Sequence, residues 1–166
     1  MKLNNTVTLG LVAGILHSVI WYFTAVNIGV YTEEAYLYRL MLMAGLVFVG
    51  VPIVIYLERN NNGNSLEFKA GLKTGLLYAV VFASVMAFFN YVYHQILSPD
   101  TVDYFVSEIK KKAISDGRSE EEIQKMVDWQ RSNFASYRVF PPVIFSSLIA
   151  SLLFAGILQK KPTKSV

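Results

Sequence analysis

The sequence predicts an all-α integral membrane protein, a four-helix bundle with an extramembrane helical hairpin between spans three and four. The first observation is four long apolar runs that fill most of the 166 residues. About 20 apolar residues, rising 1.5 Å each in a helix, match a hydrocarbon core about 30 Å thick. The second is that charged residues make up only 16% of the chain, against about a quarter in soluble domains. The third is that the only sizeable hydrophilic stretch precedes the fourth run. We treat residues 1–166 as a single membrane domain.

The first two predicted spans cover about residues 7–26 and 40–57. The first is long enough to cross a bilayer and is followed by no convincing small-x-small cleavage site, so we expect it to be retained rather than removed as a signal peptide. The second contains Pro52 and is flanked by Arg39 and Arg59. Long basic side chains at span ends reach the interface, so these charges are compatible with a membrane span.

The third and fourth predicted spans cover about residues 71–97 and 141–158. A polar, asparagine-rich loop at residues 60–65 precedes the third span, and the Ser-Pro-Asp sequence at residues 98–100 ends it. The fourth begins at Pro141 and Pro142, because proline is tolerated in the first turn of a helix.

Four spans place both termini on the same side of the membrane. Basic residues in short loops favour the cytoplasm. Arg59, Lys69 and Lys73 lie in or beside the loop between spans two and three, and three lysines lie in the C-terminal tail, whereas the loop between spans one and two carries Glu33 and Glu34. We therefore predict cytoplasmic N- and C-termini, although the long segment before the fourth span also contains many lysines and arginines.

Three spans carry small residues about one turn apart. Inside lipid, close backbone approach and polar contacts hold helices together, because the lipid tails are as apolar as the side chains. We predict that these stripes are seams between the spans, and a homodimer face is the alternative. The stripes comprise Gly10, Gly14 and Ser18 in the first span, Gly71, Gly75, Ala79, Ala83 and Ala87 in the third, and Ser147, Ser151 and Ala155 in the fourth.

The hydrophilic segment at about residues 99–137 is predicted to form two amphipathic helices. Gly117 suits the left-handed conformation that ends a helix, and Ser119 with Glu122 forms a capping-box pattern at the start of the next. The apolar positions follow the i, i+3, i+4, i+7 spacing of a helix face, and they are Val102, Phe105, Val106, Ile109 and Ala113, then Ile123, Met126, Val127 and Phe134.

Two short helices cannot bury a core of their own, so this hairpin has three interpretations. It is a lid that joins the spans, a docking surface for another protein, or an interfacial element in which Trp129 touches lipid. Acidic residues are mixed through both helices, which argues against a purely electrostatic membrane anchor.

His17 is the only ionisable residue near the middle of a predicted span. Ionisable residues at that depth are usually functional or paired, so His17 is a candidate proton relay or ligand group. The alternative is a neutral histidine that hydrogen bonds to a neighbouring span, for example to Ser146, Ser147 or Ser151. Asn90 and His94 share one face near the end of the third span, so His17, Asn90 and His94 form a candidate polar cavity. Interfacial anchoring also explains the pair in the third span.

The composition also excludes several classes of site. There is no cysteine and there are only two histidines, far apart in the sequence, so disulfides, thiolate sites and a conventional zinc site are not expected. No phosphate-binding loop, HExxH sequence or nucleophile elbow is present. No predicted span contains Asp or Glu, so the carboxylate of a small proton-coupled cation exporter is missing. We expect no catalytic residue, no cofactor and no nucleic-acid partner.

Several short sequences recur in an order that spans nearly the whole chain. They are Ser65-Leu66-Glu67-Phe68-Lys69-Ala70-Gly71, Tyr91-Val92-Tyr93, Ile96, Pro99-Asp100, Ser119-Glu120-Glu121-Glu122-Ile123 and Pro141-Pro142. In their order and spacing the chain resembles the bacterial membrane family called domain of unknown function 4199. The resemblance implies a four-span protein of the inner membrane, from an envelope with two membranes, and it brings no activity, substrate or catalytic residue.

These observations favour a non-enzymatic accessory or scaffold subunit in a lipid bilayer, with the hairpin contacting a protein partner. The second hypothesis is a small transporter or channel subunit with a polar cavity around the first and third spans. The third is an intramembrane enzyme acting on lipid-linked substrates, which the absence of acids from the spans disfavours.

Overall fold

The computed structural model describes residues 3–28 and 33–160, which are helical apart from turns and one isolated antiparallel backbone bridge. A π-helical segment at Tyr93–Leu97 continues α3, and a 3₁₀ turn at Ser136–Val139 leads into α6. The α-helices are α1 (Leu3–Ile28), α2 (Glu33–Asn61), α3 (Phe68–Val92), α4 (Asp100–Ser115), α5 (Glu120–Asn133) and α6 (Phe140–Leu158).

Four stretches of the described chain are long and apolar enough to cross a membrane. They cover Asn5–Asn27, Leu37–Asn61, Phe68–Leu97 and Ser136–Leu158. Each includes a span predicted from the sequence and extends it by one to five residues at one or both ends. The all-α fold with four membrane spans is therefore confirmed, and the chain is a multi-pass membrane protein.

The chain divides into two compact units, residues 1–86 with 139–166 and residues 87–138. The first unit contains the four apolar helices, with α3 contributing its residues up to Met86. Its core is built from side chains with little or no exposed surface, because small and β-branched residues from neighbouring helices fit closely together. They include Val47, Val51, Val54 and Ile55 of α2, Tyr78, Ala79, Phe82 and Ala83 of α3, and Val143 and Ala150 of α6.

The second unit contains α4 and α5, which pack against each other. Ala113 and Val127 are buried there, and the rings of Phe105 and Phe134 lie 5.3 Å apart between centroids. Gly117 has a φ of +68° after the end of α4, as its position in the sequence predicts. Four residues of the predicted apolar stripes, Phe105, Ala113, Val127 and Phe134, take part in this packing, whereas Met126, also predicted to belong to a stripe, is 39% exposed.

Local sequence also fixes the start of α5. The Ser119 side chain accepts a hydrogen bond from the Glu122 backbone N–H, and the Glu122 carboxylate accepts one from the Ser119 backbone N–H at 3.1 Å. The predicted capping box is therefore confirmed. It satisfies two N–H groups that have no partner within the helix.

Candidate functional site

The small-residue stripes of α3 and α6 face each other in the first unit. A methyl group added at Gly71 would come within 2.9 Å of the Ala155 Cβ, and one added at Gly75 would overlap the Ser151 Oγ. Ala79, further along α3, and Ser147, one turn before Ser151 on α6, are fully buried. The two backbones approach closely because neither helix carries a large side chain along this line.

The stripe of α1 meets a different surface. Methyl groups added at Gly10 and Gly14 would come within 2.9 Å of Val81 and within 2.5 Å of Val85. The Ser18 hydroxyl donates to the Gly14 carbonyl at 2.8 Å, so its hydrogen bond lies within its own helix. Of the remaining positions in the α3 stripe, Ala83 is buried in the first unit, and Ala87 is half-buried and belongs to the second unit.

His17 is buried in the first unit, where its ring packs edge-on against Phe82 with centroids 5.9 Å apart. Its Nε2 atom has no hydrogen-bond partner, nor do the buried hydroxyls of Ser147 and Ser151. The hydrogen bonds from His17 to Ser147 and Ser151 that the sequence suggested are therefore not formed, and a neutral histidine bonded to another neighbouring span stays a prediction. Phe82 and Gly75 are seven residues apart on α3, about 10 Å along its axis. Because His17 packs on Phe82 and Ser151 faces Gly75, His17 and Ser151 lie at different heights along the bundle.

A hydrogen bond joins α3 to α2 beside the histidine. Tyr78, which is 1% exposed, donates its hydroxyl proton to the Leu46 carbonyl at 2.8 Å and stacks on Phe82 with centroids 6.0 Å apart. Gly50 makes room for it, because a Cβ there would overlap the phenol. The interior of the unit therefore contains a polar and aromatic column that the sequence analysis missed. In the sequence, Gly50 in the middle of span two is the one residue that indicates space for such a side chain.

Asn90 and His94 are buried at the end of α3 and in the π-helical segment, within the second unit. The His94 ring packs edge-on against Tyr93 and Phe134, with centroids 5.1 and 5.0 Å apart. The Ser98 backbone N–H bonds to the Tyr93 carbonyl at 2.8 Å, the wider spacing of a π-helix. His94 thus lies in an aromatic cluster inside its own unit, and the joint cavity with His17 stays a prediction.

The outer surface of the hairpin is charged, with two apolar side chains on α5. Met126 and Trp129 lie one turn apart and are 39% and 62% exposed. A Lys125–Glu121 ion pair of 2.6 Å and an Arg118–Glu122 pair of 3.6 Å flank them. The hydrogen bond from the Ser119 backbone lowers the pKa of Glu122. These contacts lie within α5 and at its start, and Met126 and Trp129 form an exposed apolar patch among charged residues of both signs.

Side chains that could hold a metal ion are not brought together in the part of the chain that the structure describes. No group of three His, Asp or Glu side chains there lies close enough to hold a metal ion. The first unit contains buried polar atoms without a hydrogen-bond partner, and the second unit exposes Trp129 and Met126.

Comparison with known proteins places the chain in a family. No curated protein and no solved structure matches it. The model of the family described as "Protein of unknown function (DUF4199)" matches residues 8–160. That range begins three residues inside the first span and includes the other three spans and the hairpin, so the match covers nearly the whole chain. The chain therefore belongs to the DUF4199 family.

Proposed function

We propose that the chain is a non-enzymatic accessory or scaffold subunit of a membrane assembly that binds a protein partner through its hairpin. In this proposal it lies in a bacterial inner membrane with both termini in the cytoplasm, so the hairpin projects from the opposite face. The observation that carries the proposal is Trp129, 62% exposed beside Met126 on a well-capped helix. Tryptophan is the residue type most enriched among the side chains that dominate protein interfaces.

The surroundings of Trp129 favour a protein over a lipid surface. Glu121, Glu122 and Asp128 lie on the same helix and would be repelled by anionic headgroups. A mixed-charge rim around an aromatic centre is the usual composition of a protein interface.

Affinity capture of the full-length protein in mild detergent tests this proposal. We expect a specific protein to be recovered repeatedly with the wild type and lost with Trp129→Ser, because the central aromatic anchor is removed. The matched control is Lys111→Ser, which changes an exposed side chain of α4 and should retain the partner. Recovery of no specific protein, or equal recovery with Trp129→Ser, would contradict the proposal.

A second candidate, a small transporter or channel subunit, is favoured by the buried polar atoms of the first unit. His17 Nε2 and the Ser147 and Ser151 hydroxyls have no hydrogen-bond partner, and each such buried group costs about 1–3 kcal/mol. Water or a polar solute entering between the helices would satisfy them.

Solute flux into vesicles that contain the reconstituted protein tests this candidate. We expect His17→Leu to abolish the flux while the protein stays folded, and the control Ser84→Ala, an exposed position of α3, to leave it unchanged. A His17→Leu protein altered only in stability would rule out the transport site.

A further inference from the structure

Three membrane spans of the first unit meet around Gly75. A Cβ added there would overlap the Ser151 Oγ of α6 and come within 3.2 Å of Val51 on α2. Arg59 follows Val51 by eight residues, about 12 Å along the helix axis. Lys160 follows Ser151 by nine residues. Because the second and fourth spans run in the same direction, these two cations lie at the same end of the bundle.

Arg59 lies at the edge of the buried face of α2. Ile55 and Val51 precede it by one and two turns of the helix and are fully buried. Tyr56, three residues before Arg59, is 51% exposed. Arg59 itself is half-buried, so its side chain leaves the core of the bundle at the end of the span.

The guanidinium of Arg59 is held by the protein without being neutralised by it. Its Nε is buried and has no hydrogen-bond partner, and none of the described acids forms an ion pair with it. Of the two neighbouring acids, Glu58 accepts a hydrogen bond from the Asn62 side chain at 3.0 Å, and Glu67 is exposed. Burial of the stem restricts where the guanidinium lies, and its terminal N–H groups match the oxygens of a phosphate.

The surroundings of Arg59 carry a positive charge. Residues 1–2 and 161–166, outside the described range, contain lysines and no Asp or Glu. The remaining acids of the chain are Glu33, Glu34 and those within residues 100–128, in the connections at the other ends of the spans. An anion from outside the chain is therefore complementary to this end, where the described charges are Arg59, Lys69, Lys73 and Lys160 against Glu58 and Glu67.

An exposed apolar strip on α2 leads to Arg59. Val49, Ile53 and Tyr56 are 60%, 43% and 51% exposed, and their spacing of four and three residues places them on one side of the helix. In a membrane this side faces lipid tails, and the end of the span lies among headgroups. An apolar strip followed by an arginine matches an acyl chain followed by a phosphate, which favours a lipid over a soluble anion.

We propose that Arg59 binds the phosphate of a phospholipid with a net negative headgroup, whose acyl chain lies along Val49, Ile53 and Tyr56. The inference is independent of the proposed function, because it concerns the first unit and a lipid rather than the hairpin and a protein. It assigns Arg59 a ligand in addition to its place at the membrane interface.

A tryptophan placed beside Arg59 supplies the reporter for the test. The chain contains two tryptophans, so Tyr56→Trp combined with Trp21→Phe and Trp129→Phe leaves one, a single turn before Arg59. The full-length variant is reconstituted in vesicles of phosphatidylcholine and phosphatidylglycerol, with bromine atoms on the acyl chains of one lipid at a time. Bromine quenches tryptophan fluorescence at short range, so the two experiments give the relative affinity of the two lipids for this position.

We expect phosphatidylglycerol to be preferred about fivefold, the ratio that corresponds to one basic side chain acting on an anionic lipid. Adding Arg59→Gln should bring the ratio close to one. Adding Lys69→Gln, an exposed cation at the same end, should leave most of the preference, and Lys110→Gln on α4 should leave all of it. An excess of inorganic phosphate should not compete, because a lipid is held by its chain as well as its phosphate.

The wild-type protein gives a second measurement that needs no variant to fold. After extraction from the same vesicles in mild detergent, mass spectrometry of the intact protein should find phosphatidylglycerol retained in preference to phosphatidylcholine. Retention of neither lipid, or of both equally, would contradict the proposal.

Several results of the quenching experiment would also overturn it. Equal quenching by the two lipids in the protein that retains Arg59 would mean that the reporter touches only bulk lipid. A preference that survives Arg59→Gln would place the anion elsewhere, and an equal loss with Lys69→Gln would indicate a diffuse attraction without a site. Loss of the preference on adding inorganic phosphate would make the ligand a free anion.

Discussion

At position 50, the lack of a side chain allows α2 and α3 to share a hydrogen bond. The Tyr78 hydroxyl reaches the Leu46 carbonyl across the space that a Cβ of residue 50 would occupy. A backbone carbonyl that already lies in a helix can accept a second hydrogen bond through its other lone pair. One glycine therefore determines how a buried tyrosine is satisfied.

We expect Gly50→Ala to lower the free energy of unfolding by about 1–3 kcal/mol, the usual cost of inserting atoms into a packed core. Denaturant titration in detergent micelles measures it. Gly45→Ala in the same helix is the matched control, because nothing lies within 4 Å of a Cβ added there, and it should be neutral or slightly stabilising. Equal unfolding free energies for the two variants would contradict the role assigned to Gly50.

Between elements, α3 and α6 are in close contact at Gly75 and Ser151. We expect Gly75→Ala to destabilise the bundle by about 1–3 kcal/mol, since the new methyl overlaps the Ser151 hydroxyl. Adding Ser151→Gly should restore part of the loss, and the same titration measures both. Gly156→Ala on α6 has open space around its Cβ and should have little effect. If Ser151→Gly gave no rescue, the helices would be in contact along another line.

The start of α5 is expected to depend on pH through Glu122. Folding lowers the pKa of this carboxyl below its ordinary value of 4.5, first because of the Ser119 backbone hydrogen bond and then the Ser119 hydroxyl. A lowered folded pKa stabilises the helix above the ordinary value, and the stabilisation is lost as the pH falls through the folded pKa. We expect faster amide exchange at residues 119–123 below pH 4.5, after correction for intrinsic rates.

Two variants isolate this effect. Glu122→Gln keeps a hydrogen-bond acceptor without a titratable group, so exchange in that segment should no longer change with pH through this window. Glu120→Gln removes a charge from the same first turn and should keep the pH dependence. An identical pH dependence in both variants would show that another group is responsible.

For the whole molecule, four spans require the loop after α2 and the α4–α5 hairpin to lie on opposite sides of the membrane. The chain has no cysteine, so single cysteines at Asn60 and Lys110 report the two sides. In intact cells we expect a membrane-impermeant maleimide to label Lys110→Cys and to reach Asn60→Cys only after permeabilisation. Labelling of both positions in intact cells would contradict the predicted topology.

The sequence predicted the four spans and the two hairpin helices because hydropathy, helix periodicity and capping are local properties of the chain. Gly117 adopts the left-handed conformation after α4, and Ser119 and Glu122 form the capping box of α5, as the local sequence predicts. Contacts between helices depend on rotation and register, which no single helix specifies. For this reason the Tyr78–Leu46 hydrogen bond and the burial of the Arg59 Nε were not anticipated. The function of the site was the least predictable, because a chain with few ionisable side chains contains few residue patterns that indicate a catalytic or binding site.

The contact of Gly71 and Gly75 with α6 has a consequence for biosynthesis. These glycines lie on the third span, and their contacts Ser151 and Ala155 lie on the fourth. The ribosome must therefore synthesise about 80 further residues after the glycines before the contact between α3 and α6 can form. The first three helices can already associate through Gly10, Gly14 and Tyr78. Insertion of α6 then completes the bundle, and the Leu66–Lys160 backbone hydrogen bonds of 2.9 and 3.0 Å tie its end to the loop before α3. Assembly of this membrane domain is therefore completed from its C-terminal end, and a truncation within the last span would leave α3 with an unfilled groove.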